Sequence, residues 1–105
     1  MRMHGKSGST YRVASTDTAA GLAAGVLSET TMGPIDSVTI TCETNNVRVA
    51  IGTPTQGATG TGCLLLAGDI FEVEGYSDCA ALKWISAASG VHGALQITPH
   101  YDYGT

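Results

Sequence analysis

Apolar and polar residues begin to alternate at Ile35 and continue to do so, with interruptions, to the end of the chain. Val38, Ile40 and Cys42 fall on one face and Ser37, Thr39 and Thr41 on the other, the two-residue period of a half-buried strand. Glu43-Thr44-Asn45-Asn46 supplies turn residues, and Val47, Val49 and Ile51 then alternate against Arg48 and Ala50. The two runs predict a β-hairpin. Residues 52–62, GTPTQGATGTG, contain no large apolar side chain and predict an unanchored surface loop.

Cys63 to Leu66 is a short continuous apolar run of the kind found in a strand covered on both faces. In the next strand Phe71 and Val73 oppose Ile70, Glu72 and Glu74. Gly75-Tyr76-Ser77-Asp78 breaks it, and Ala80 to Ala87 predicts a further strand with Leu82 and Trp84 opposite Lys83 and Ile85. The last strand sets Leu95 and Ile97 against Ala94, Gln96 and Thr98, with Pro99 limiting further pairing as expected near a sheet edge. Six short strands between turns predict an all-β fold, an antiparallel β-sandwich, for which a jelly roll is one available wiring. A chain of 105 residues has material for one such core.

Residues 1–34 read differently. They are rich in Gly, Ala, Ser and Thr and hold no long period, which predicts an extended N-terminal arm joined at Gly33-Pro34 to a β-sandwich domain spanning 35–105. Within the arm, Tyr11 and Val13 could pair as a short strand. Ala19 to Leu27 has helical offsets weakened by Gly21 and Gly25.

Charge sharpens this division. Residues 1–16 carry Arg2, Lys6 and Arg12 with no acid, so the net charge of -4 leaves the remainder strongly acidic. A basic arm of this kind can dock on an acidic protein surface or stand as a solvated tail with no partner; in the first case Arg2, Lys6, Arg12 and Tyr11 are its candidate contacts with a neighbouring subunit. It is also expected to be dispensable for folding the sandwich. Charged residues make up only 13 % of the chain, a composition compatible with burial against other subunits.

Motifs for chemistry are sparse. The glycine-rich loop runs into a strand, not into the Gly-Lys-Ser/Thr and helix that a phosphate loop requires. His4, His92 and His100 lack partners at metal-ligand spacing and read as solvated, so no metal or cofactor is expected. Cys42, Cys63 and Cys79 match neither a disulfide framework nor a zinc site and read as buried free thiols. Asp69, Glu72, Glu74 and Asp78 form an acidic group too spread along one strand to wrap a calcium ion easily. No nucleophile elbow or Cys-His pairing is visible, so no enzyme is expected. Trp84 reads as core; on an exposed face it, or Tyr76, would suit a carbohydrate-binding sandwich. No run is long and apolar enough to span a membrane, no secretory signal opens the chain, and folding in a cytoplasm is expected.

Five segments, Val47-Arg48-Val49-Ala50, Gly52-Thr53-Pro54-Thr55, Leu66-Ala67-Gly68-Asp69, Ala81-Leu82-Lys83-Trp84-Ile85-Ser86-Ala87 and Gly93-Ala94-Leu95-Gln96-Ile97, together resemble small virion structural proteins of tailed bacteriophages. The resemblance covers about two thirds of the chain and leaves the arm outside it. It implies a short β-sandwich that decorates or cements a capsid, or sits at a neck or fibre. It further implies a non-enzymatic homo-oligomer in the virion, assembled in a host cytoplasm. Its partners would be the major capsid protein or other virion subunits, and not nucleic acid or membrane.

Overall fold

A computed structural model describes residues 5–29 and 33–102. In chain order, β1 (Gly5–Ser7), β2 (Tyr11–Ala14) and β3 (Ala20–Gly21) precede one helical turn, α1 (Ala24–Leu27), and β4 (Ser28–Glu29). The long β5 (Gly33–Thr44) follows, then β6 (Val47–Ile51), β7 (Cys63–Leu65) and β8 (Ile70–Glu74). A short helix, α2 (Tyr76–Ala81), leads into β9 (Leu82–Ser86), and β10 (Ala94–Asp102) closes the described chain.

All strand pairs are antiparallel and form two sheets, so the chain is an all-β sandwich. One sheet has four positions in the order β2, β10, β5, β8; β1 continues the β2 position along β10, and β4 continues the β8 position along β5. The other sheet runs β3, β9, β6, β7. Val38, Ile40, Cys42, Leu95 and Ile97 from the first sheet meet Val47, Val49, Leu82 and Trp84 from the second, and all are buried. Each such aliphatic side chain contributes roughly 1.5–3 kcal/mol by leaving water.

The expected hairpin between β5 and β6 does not form. β5 pairs with β10 and β8, and β6 pairs with β7 and β9, so the Asn45-Asn46 corner carries the chain from one sheet to the other. Alternation cannot tell the two arrangements apart, because in both Cys42 and Val47 face the same core. What holds the corner is specific: Asn45 takes φ 56°, its Nδ2 donates to the His92 carbonyl at 2.8 Å, and the Cys42 thiol donates to the Asn45 carbonyl at 3.1 Å.

Pro99 lies inside a central strand, not at an edge. The Gly8 N–H donates to the Pro99 carbonyl at 2.8 Å, and a strand residue directs its N–H and C=O to the same side. The missing proline donor therefore faces the interval between β1 and β2, while β5 pairs normally on the other flank. Ala80 and Ala81 are helical, as suits alanine, so β9 starts two residues later than the alternation suggests. β7 is not covered on both faces: it ends its sheet, with Leu65 buried and Leu64 and Leu66 41 % and 48 % exposed.

The segment expected to be an arm supplies backbone to both sheets. β1 and β2 flank β10, β3 flanks β9, and Leu22, Val26 and Leu27 pack against the core around α1. Tyr11 and Val13 carry this outcome, since their half-buried side chains alternate with exposed Arg12 and Ala14 as a strand requires. Removing residues 2–16 would strip β10 of its outer neighbours, so this stretch is not dispensable for the fold.

Candidate functional site

The four residues picked from the sequence do not converge on one point. Arg2 lies outside the described residues. Lys6 sits in β1 in register with Tyr101, and Tyr11 and Arg12 are adjacent on β2, in register with Ile97 and Gln96. Burial, then the neighbouring Tyr101, raises the Tyr11 hydroxyl above its ordinary pKa. Arg12 points outward; its Nε donates to Glu43 Oε1 at 2.7 Å while Gln96 Nε2 donates to Oε2 at 3.0 Å. Those two bonds hold the Glu43 carboxyl below its usual range.

At the end of the sandwich where β5 turns into β6, the structure assembles a polar chain that sequence inspection does not find. Ser15 Oγ and Ser86 Oγ lie 2.7 Å apart, Ser86 Oγ is 2.9 Å from His92 Nδ1, and the Gly93 N–H donates to Ser15 Oγ at 2.8 Å. His92 is thus engaged and not simply solvated, and His100 likewise meets Thr39 at 3.2 Å. A serine beside a histidine is the elementary couple of nucleophilic catalysis. Here both serines are buried, at 0–1 % exposure, and each hydroxyl faces the other, so no substrate atom can reach Ser86. The arrangement is a clasp between the β2–β3 turn and β9. Asp17 reinforces it, accepting from the Gly90 N–H at 3.0 Å and from Gln56 Nε2 at 2.9 Å, which lowers its pKa.

Beside this clasp a shallow cavity of about 340 Å³ is bordered by Asn46, Arg48, Leu64, Ala88 and Val91. Arg48 is committed to the wall: Nη1 donates to the Gly62 carbonyl at 3.0 Å and Nη2 to the Gly57 carbonyl at 3.2 Å. Together with the buried ring of Pro54, these bonds fasten residues 52–62 over the second sheet. The loop expected to lack an anchor has one.

Trp84 is 3 % exposed, which removes it as a sugar-stacking platform; Tyr76 is 47 % exposed. Cys42 and Cys79 are buried free thiols as expected, but Cys63 is exposed. Burial, then Asp36 and Asp78, pushes the Cys79 thiol up to about 11. Among the described residues no three His, Cys, Asp or Glu side chains stand close enough to hold a metal ion, and Asp69 instead caps the Leu66 N–H at 2.9 Å.

The remaining outward feature is apolar. Leu64, Leu66 and Ile70, the last 64 % exposed, follow one another along β7, its turn and β8, on the flank where both sheets end. No family model matches this chain, and neither does any curated protein or solved structure.

Proposed function

We propose that this chain is a non-enzymatic virion structural protein, a decoration or cement subunit that seats on the outer surface of a capsid shell and stabilises it. The observation that carries the reading is the pair of exposed apolar side chains Leu64 and Leu66 at the β7 edge, in a chain whose charge is sparse. Solvent-facing apolar groups grouped on one flank favour contact with another protein. The strand orders β2–β10–β5–β8 and β3–β9–β6–β7 support a jelly-roll wiring, an architecture used in capsid proteins and also in lectins. Fold alone does not assign a role, so the contact surface carries the argument. The buried Ser86 hydroxyl favours the same reading, since the serine that meets His92 is itself closed off from solvent.

The test is co-sedimentation of the purified chain with shells of the major capsid protein. Saturable binding, weakened by Leu64→Asp and Leu66→Asp, is expected, along with shells that survive higher temperature when decorated. Shells that sediment without the chain at every ratio would refute the proposal.

A further inference from the structure

The two ends of the first sheet are complementary to each other. β2 ends one side and β8 the other, four and five residues long, whereas the second sheet ends in β3 and β7, of two and three residues. Short edges resist strand addition and longer ones invite it. No strand pairs with the outer side of β2 or of β8 among the described residues.

Backbone direction and parity agree. β2 runs parallel to β5, being two antiparallel steps from it, and β8 runs antiparallel to β5. The β8 edge of one copy therefore meets the β2 edge of a like-oriented copy as an antiparallel pair. The Ser15 N–H donates inward to the Gly93 carbonyl, so by alternation Arg12 and Ala14 direct their backbone groups outward. On β8 the Gly75 N–H donates inward to the Asp36 carbonyl, which turns the backbone groups of Ile70, Glu72 and Glu74 outward.

The side chains match in the same register. With Arg12 opposite Glu72, the half-buried Tyr11 and Val13 stand opposite Val73 and Phe71 on the core side, and exposed Ala14 stands opposite Ile70, the most exposed large apolar residue of the described chain. Opposite charges across a strand pair attract and like charges repel. Pairing β8 with β8 would set glutamates against glutamates, and pairing β2 with β2 would set arginine against arginine, so only the unlike edges fit.

We infer that copies of this chain associate head to tail, β2 of one copy adding to β8 of the next and continuing the first sheet across the boundary. An interface of unlike edges generates a closed ring if the rotation per copy closes and a filament otherwise. This deepens the reading as an assembly subunit by naming the contact between copies, and it leaves the Leu64–Leu66 surface for the shell.

The experiment is sedimentation velocity of the full chain over a concentration series at low and high salt, beside Arg12→Glu, Glu72→Arg, the combined exchange and Glu72→Pro. The wild-type chain is expected to be oligomeric, more weakly so at high salt. Each single charge reversal weakens association roughly tenfold or more, and mixing the two reversed chains, or combining both changes in one chain, restores it. Glu72→Pro removes only an outward N–H and caps growth while leaving the β5 ladder intact; circular dichroism melts identify any variant that fails by misfolding. A wild-type chain that stays monomeric at all concentrations, or an oligomer indifferent to the charge reversals and to Glu72→Pro, overturns the inference. Oligomers that behave as stated but ignore capsid shells sustain it and refute the decoration role instead.

Discussion

Ser15 and Ser86, 71 positions apart, share a 2.7 Å hydrogen bond between fully buried hydroxyls, and through it the turn after β2 is locked to the last residue of β9. The first serine also receives the Gly93 N–H. A polar pair in a core stabilises only when complete, because each orphaned partner keeps its desolvation penalty.

Ser15→Ala orphans the Gly93 N–H and leaves the Ser86 hydroxyl with His92 Nδ1 as its remaining side-chain partner, and it should destabilise the fold by about 1–3 kcal/mol in denaturant titration. Ser86→Ala should lose a similar amount. The double variant should lose less than their sum, because the two residues act as one unit. Strict additivity in that cycle would show that the hydroxyls do not depend on each other.

The cysteines should separate by accessibility. Native protein at pH 8 should take one equivalent of a maleimide rapidly, at Cys63, and the other two only after denaturation, since Cys42 and Cys79 are buried and both thiols are raised. Mass spectrometry of the labelled peptides identifies the site. Rapid labelling of Cys79 would contradict its burial.

Acid should weaken the fold through Glu43 and Asp17. Both carboxyls titrate below their ordinary values in the folded chain, Glu43 through its bonds from Arg12 and Gln96, Asp17 through those from Gly90 and Gln56. Between the folded and unfolded pKa the unfolded chain binds more protons, so stability rises with pH there. These contributions are present above about pH 4 and fade as pH falls through the lowered values. Glu43→Gln should flatten part of this slope in melts between pH 2 and 6.

Arg48→Ala removes two charge-assisted bonds from residues 52–62 and should leave the core melt little changed while exposing that loop to protease. Limited proteolysis should cut first between Gly52 and Gly62 in the variant and elsewhere, or not at all, in the parent.

The strands themselves were legible in the sequence because a sheet with one face in the core must alternate; Val38-Ile40-Cys42 and Leu95-Ile97 show this directly. Which sheet each strand joins was not. The Asn45-Asn46 corner reads equally well as a hairpin turn or a crossing, and its fate depends on His92 and Ala87, distant residues that supply its hydrogen bonds. The Arg48 anchor was hidden for the same reason, since its acceptors are backbone carbonyls that carry no sequence signature. The Ser15–Ser86–His92 chain joins residues whose spacings follow no local period. Tyr11 and Arg12, picked for charge and position, lie on β2, the last strand on one side of the first sheet among the described residues, but the arm in which they were placed is woven into the sheets.

The position of β10 also shapes how the protein is made. It emerges last from the ribosome among the strands described, yet it is the inner rail that both β2 and β5 need before the first sheet exists. Earlier strands must wait beside a vacant lane during synthesis, so the sandwich should close in one cooperative step only once β10 has left the ribosome, and nascent chains cut short before Ala94 should be prey for chaperones and proteases.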